Sequence, residues 1–160
     1  MGNRVEGSEQ VARILNNDWF EDGRLMHLAF ALNYGETYLS VNRLAVPTYP
    51  SDVKSFVESH SKYIFGINKN KYRRAVLNVG DIRAIDVKYR GKKMNVDVEV
   101  EPRDFHTKSH AGIFTRYQQK NVKSGEKLVV NHDNEIASDV ILLKVQFSLL
   151  RQALVETCKL

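Results

Sequence analysis

The segment Arg103-Asp104-Phe105-His106-Thr107-Lys108-Ser109-His110-Ala111-Gly112-Ile113 brings a carboxylate, two imidazoles, a hydroxyl and an ammonium close together in the chain. An apolar core does not call for such a set, and three chemistries draw on it. In the first, His106 and His110 share one face of a helical turn and hold a metal ion, with Asp104, His27 or His132 completing the shell. The helical pattern is weak here, however, and the HExxH signature is absent. In the second, one histidine acts as general acid or base, oriented by Asp104, with Ser109 as nucleophile or positioning group. No GxSxG elbow accompanies it. In the third, Lys108, Ser109 and the backbone at Gly112 cradle a phosphate, without Walker-type spacing. The bland reading is a buried, hydrogen-bonded His110 beside an exposed His106. No metal or other cofactor is assigned.

A second group is basic. Lys69, Lys71, Arg73 and Arg74 surround Tyr72, and Lys88, Arg90, Lys92 and Lys93 surround Tyr89. Such clusters can bind phosphates while the tyrosines stack on bases. Gly91 makes the second cluster an exposed hairpin turn, where lysine is ordinary, and neither an RNP-type aromatic strand nor a GXXG loop is present.

The elements that would position these groups are partly legible. Met94, Val96, Val98 and Val100 alternate with Asn95, Asp97, Glu99 and Glu101, which predicts a strand with one buried face. The Arg103–Ile113 segment then follows a strand end, past Pro102, and Gly112 allows a close backbone approach by a ligand. Thr37–Leu44 reads as another strand, with Ser40 and Asn42 on one face and Arg43 on the other. Val53, Phe56, Val57 and His60 follow helical spacing, predicting a helix over Asp52–Ser61 capped by Ser51. Ala75–Val79 and Lys127–Val130 read as short strands. Ser8 ahead of Val11, Ala12, Ile14 and Leu15 predicts a short opening helix. Glu135–Glu156 reads as a final helix with a spine of Ile136, Val140, Leu143, Phe147, Leu150 and Leu154. Ile141, Leu142, Val145 and Leu149 widen its apolar face, which suits a core position or a homodimer interface. The expected class is α+β: a central, mainly antiparallel sheet with N-terminal, middle and long C-terminal helices packed on it.

The bulk properties fit that picture. The 160 residues suit a single domain over 1–160, with loose tails at Met1–Gly7 and after Glu156. Hydrophobic residues at 42% and charged residues at 27% are globular proportions. Cys158 is the one cysteine, which excludes an internal disulfide and a cysteine-based zinc site. No signal-like apolar run opens the sequence, and Val140–Leu150 is too short to span a bilayer, so a cytoplasmic location without membrane contact is the expectation. A net charge of +5 permits an anionic partner without demanding one.

Two blocks carry a resemblance. Glu36-Thr37-Tyr38-Leu39-Ser40-Val41-Asn42-Arg43-Leu44 follows Leu28-Ala29-Phe30-Ala31-Leu32, and Val76-Leu77-Asn78-Val79-Gly80-Asp81-Ile82-Arg83 precedes Ser109-His110-Ala111-Gly112-Ile113. Over roughly residues 20–115 this resembles small bacterial proteins with an "LSVN…VGDIR…SHAGI" layout, for which no activity is established. The resemblance implies no reaction but draws attention to Glu36, Ser40, Asn42, Arg43, Ser109 and His110. Arg24, Ser40 and Glu126 also resemble, faintly, the arrangement in ADP-ribosyltransferases.

The composite expectation is a small polar pocket. Ser40, Asn42 and Arg43 of one strand would meet Asp104, His106, Ser109 and His110, with Arg43 binding an anionic group and His110 moving a proton. The alternatives are a non-enzymatic module that binds RNA or a partner protein through Lys69, Lys71, Tyr72, Arg73 and Arg74, or a dimeric structural protein. The composite site requires Arg43 and His110 to line one cleft.

Overall fold

The computed structural model describes residues 4–33, 35–60, 71–103, 107–120, 127–131 and 136–160, the side chains of 117–138 excepted. Lys69, Asp104, His106, Glu126 and His132 lie outside the described residues. In chain order the strands are β1 (Gln10–Ile14), the small pair β2 (Phe20–Glu21) and β3 (Arg24–Leu25), and β4 (Leu39–Arg43). After helix α1 (Tyr49–His60) come β5 (Lys71–Asn78), the short α2 (Val79–Arg83), and the pair β6 (Lys88–Tyr89) and β7 (Lys92–Lys93). The chain continues through β8 (Val96–Pro102), β9 (His110–Lys120), β10 (Lys127–Asn131), α3 (Ile136–Gln152) and β11 (Leu154–Lys159). No helix among the described residues is long and apolar enough to cross a membrane.

The main sheet has seven strands in the order β10-β9-β4-β1-β5-β11, and β8 pairs with β9. Ala111–Ile113 of β9 pair with both β4 and β8, so β8 occupies the opposite edge of β9 from β4. Every pairing in the sheet is antiparallel. Both faces are covered. Val11, Val41, Leu77, Val98, Val100 and Ile113 pack with α2 and α3 on one face, and Ala12, Ile14 and Tyr72 pack with Val53 and Val57 of α1 on the other. The chain is therefore α+β with a mainly antiparallel sheet, as the alternation in β8 predicts. Within β8, Val98 and Val100 are buried while Asp97 is exposed. The expected turn is present too: Tyr89 pairs with Lys92 across Arg90 and Gly91, both at positive φ, the conformation that a two-residue hairpin demands.

Several expectations need correction. The opening helix is instead strand β1. Val11 and Ala12 point to opposite covered faces, so the run is apolar throughout and has no period that separates strand from helix. The same ambiguity hid β9, where Ala111, Gly112, Ile113, Phe114 and Thr115 are all buried. Helix α1 begins at Tyr49, not past Ser51, because Pro50 is tolerated in a first turn whose N–H groups need no helical partner. The final helix stops at Gln152, and Leu154–Lys159 pair with β5, so the expected loose tail is an edge strand. Val5, expected in the other tail, is fully buried. On α3 the buried spine is Ile141, Val145 and Leu149, whereas Val140, Leu143 and Phe147 are exposed.

Gly112 has a different role from the one expected. A Cβ there would lie 2.5 Å from Tyr38 Cδ2 and 2.8 Å from Tyr38 Cγ. The close approach is by the Tyr38 ring, which covers a glycine that has no side chain of its own to pack.

Candidate functional site

Strand alternation sends Ser40 and Asn42 of β4 to the face that α1 partly covers, while Leu39, Val41 and Arg43 face the other side. The β4–β9 register sets Asn42 opposite His110 and Ser40 opposite Gly112. His110 thus lies diagonal to Ser40, and its Nε2 is 3.3 Å from Ser40 Oγ. Three of the expected pocket residues, Ser40, Asn42 and His110, are brought together.

Ser109 stands beside them but is fully buried. Its hydroxyl donates to Asp52 Oδ2 at 2.7 Å and its backbone N–H donates to the same oxygen at 3.1 Å. Asn42 Nδ2 donates to Ser109 Oγ at 2.9 Å, and Thr48 Oγ1 donates to Asp52 Oδ2 at 2.9 Å. This network ties the start of β9 to β4 and to the first turn of α1. With its proton committed and no exposure, Ser109 is not the nucleophile of the two expected roles but a group that holds others in position.

Arg43 is a second correction. It lies on the opposite face of β4, where Nε and Nη2 donate to the two oxygens of Glu9 at 3.0 and 2.9 Å and Nη2 also reaches the Arg4 carbonyl. With 8% exposure it braces the N-terminal segment, and an incoming anion would have to displace Glu9. The composite site with Arg43 as its cation is not formed.

Among the described residues the arginine at the cleft is Arg13, which the sequence reading missed. The β1–β4 ladder runs only through Val11–Arg43 and Ala12–Asn42. Beyond it the Arg13 side chain enters, donating from Nε to the Ala29 carbonyl at 2.6 Å and from Nη1 to the Ser40 carbonyl at 2.9 Å. Trp19 stacks on it, 4.9 Å from ring centroid to Cζ. Burial pushes its pKa down to about 10, a loss that Glu36 partly offsets. One signal was available in the sequence: a lone arginine inside the apolar run Val11–Leu15 has to be held by something.

Arg13, Trp19, Glu36, Ser40, Asn42 and His110 line one cleft of about 720 Å³ together with Asp52, Phe56 and His60 of α1. Small-molecule sites typically occupy roughly 300–1,000 Å³. The His60 ring stacks on Phe56 with centroids 4.3 Å apart. Its Nδ1 is 2.8 Å from the Phe56 carbonyl; a carbonyl only accepts, so Nδ1 carries the proton and Nε2 is the acceptor of the neutral ring. Among the described residues no cluster of three or more His, Cys, Asp or Glu is placed to hold a metal ion.

The basic cluster at β5 is dispersed. Tyr72 is 7% exposed and packs with Tyr49 and Val53, so it cannot stack on a base. Arg73, on the other face, lies over the Phe20 ring at 3.5 Å and donates to Asn17 Oδ1. Arg74 pairs with Glu156 at 2.7 Å and donates to the Tyr49 hydroxyl. Only Lys71 of the described members is an exposed cation.

Comparison of the chain with known protein families, with curated proteins and with solved structures finds no match.

Three carboxylates bear on stability. Hydrogen bonds from Arg43 hold Glu9 below its ordinary value of 4.5, and hydrogen bonds from Arg116 do the same for Glu101. Burial pushes Asp52 up, but the donors on Ser109 and Thr48 outweigh it and leave the group below 3.8. A carboxyl whose folded-state pKa is depressed stabilises the fold above its unfolded value and loses that contribution as pH falls through the folded one. Stability measured by urea unfolding should thus hold near neutrality and decline below about pH 5. Glu9→Gln should flatten that decline; an unchanged acid slope would remove Glu9 from the account.

Proposed function

We propose that the cleft between α1 and the β4–β9 part of the sheet binds a small polar molecule, and that His110, hydrogen-bonded to Ser40, is the group that donates or accepts a proton there. The observation that carries this reading is the convergence of Ser40, Asn42 and His110 with Arg13 on one cleft, although they come from three strands. Backbone pairing alone places Asn42 against His110, and Arg13 pins the Ser40 carbonyl beneath them. Positions set by a rigid sheet suit a binding site better than positions on loops.

The test is an NMR fragment screen on the intact chain. Fragments that bind should perturb the amide signals of Ser40, Asn42 and His110. Their affinity should fall about tenfold in His110→Ala, equivalent to ~1.4 kcal/mol. That variant should keep its stability within about 1 kcal/mol of the wild type. Fragments that all perturb other surfaces, or a His110→Ala chain that no longer folds, would count against the reading.

A homodimer is a second reading, favoured by one observation. Val140, Leu143 and Phe147 form an exposed apolar stripe on α3, and Leu28 is 54% exposed. A second copy of the chain packed on this stripe would bury it. Sedimentation equilibrium should then show a dimer that Leu143→Glu dissociates, and a monomeric wild type would end the idea. At the β5 cluster the RNA-binding alternative loses support with the burial of Tyr72 and the internal contacts of Arg73 and Arg74, whereas Lys88, Arg90, Lys92 and Lys93 of the β6–β7 turn are exposed.

A further inference from the structure

The charge around the cleft limits what can enter it. Arg13 is its one arginine or lysine among the described lining residues, facing two carboxylates, Glu36 and Asp52. The Arg13 guanidinium is already committed to the carbonyls of Ala29 and Ser40 and lies against Trp19. Lys108, which acts on Asp52, is exposed and outside the lining. Among the described lining residues, with His60 and His110 neutral, an anion would therefore shed its hydration and meet more negative than positive charge.

Hydroxyl groups meet the opposite situation. Carboxylates accept hydrogen bonds from alcohols without a charge penalty, and serine and asparagine both donate and accept. Among the described residues the donors from Ser109 and Thr48 all go to Asp52 Oδ2, and Oδ1 is the oxygen offered to a ligand. Ser40 and Asn42 add groups of either sense on the sheet side. The cleft is also lined by two aromatic rings, Trp19 and the 38% exposed Phe56, each of which keeps one face for a ligand after Arg13 has covered the other face of Trp19 and His60 the other face of Phe56. An aromatic face is matched by the C–H face of a saturated ring, which needs contact area more than polarity.

We infer that the ligand is a neutral polyhydroxylated ring, a sugar, held by its hydroxyls on Glu36 and Asp52 with its C–H face against Trp19 or Phe56. This inference rests on the cleft being the ligand site. It names a ligand class that the anion-binding expectation excludes.

Trp19 is the only tryptophan of the chain, so its fluorescence and its indole N–H resonance read this cleft alone. The intact protein is titrated with D-glucose, D-galactose, D-ribose and N-acetylglucosamine, and separately with inorganic phosphate as the anionic probe. A saturable change with at least one sugar is expected, weakened about tenfold by Phe56→Ala or Glu36→Gln, with no response to phosphate. Saturation by phosphate and by none of the sugars would overturn the sugar assignment while leaving the cleft as a ligand site. A sugar response unaltered in both variants would overturn the proposed seat. Silence of the Trp19 signals to every probe, with no fragment at Ser40, Asn42 or His110, would remove both proposals.

Discussion

Arg13→Met is expected to destabilise the fold by about 2–4 kcal/mol, the combined loss of its hydrogen bonds and its contact with Trp19. Methionine matches the length of the arginine stem and fills its apolar space, so loss of packing is the smaller part. The larger part is the pair of carbonyls left behind. Ala29 O and Ser40 O accept from Nε and Nη1 at 2.6 and 2.9 Å; the buried Ala29 acceptor left without a donor costs about 1–3 kcal/mol, and the part-buried Ser40 acceptor, which water can reach from the cleft, costs less. Loss of the contact with Trp19 adds about 0.5–1 kcal/mol. A counter-effect exists, since burial lowers the Arg13 pKa to about 10 and the buried charge is itself a cost. Replacing a complete ion pair by apolar residues can be neutral for that reason, but here the acceptors are backbone and remain. In urea unfolding the midpoint should fall at unchanged slope. Arg13→Lys should recover only part of the loss, because one ammonium does not reproduce a planar fork spanning two carbonyls. A methionine variant within about 1 kcal/mol of wild type would show that Arg13 is not the bridge between β4 and the Ala29 turn.

The second large effect separates the two stripes of α3. Leu149→Ala should cost about 2–5 kcal/mol, as expected for a leucine deleted from a closed core, since Leu149 is fully buried with Ile141 and Val145. Leu143→Ala, at 43% exposure, should stay within about 0.5 kcal/mol when measured on the monomer. Chemical denaturation of both variants at low concentration decides the matter. Equal costs would mean that the buried face of α3 has been wrongly assigned.

That contrast also marks where sequence reasoning reaches its limit. The sequence puts the spine of α3 through Ile136, Val140, Leu143, Phe147, Leu150 and Leu154, with Ile141, Leu142, Val145 and Leu149 beside it; in the fold Ile141, Val145 and Leu149 are buried, Leu150 is partly so, and Val140, Leu143, Phe147 and Leu154 are exposed. Both stripes satisfy helical spacing, because apolar residues occur on most of the circumference. Which stripe is covered depends on where the sheet lies. The candidate site divides in the same way. Ser40 and Asn42 are legible from strand alternation and His110 from the polar segment Arg103–Ile113, and the three share a cleft. The same reading takes Arg43 as the anion-binding group of that strand and Ser109 as nucleophile or positioning group. In the fold, Arg43 is held by Glu9 and Ser109 by Asp52, partners 34 and 57 residues away. Arg13 was passed over because its neighbours made the run look like plain core.

By itself the sequence determined what local chemistry controls. The alternation of β8 follows from one covered and one more open face, the Arg90-Gly91 turn from a backbone that needs positive φ, and α1 from Val53 and Val57 one helical turn apart. Only the tertiary structure decided β1, β9 and the edge strand β11, and with them the cleft. Strands covered on both faces lose their period, and an edge strand is defined by the neighbour it pairs with. The partner of a buried charge is likewise set by which strands lie side by side, and that arrangement made Arg13, not Arg43, the arginine at the cleft.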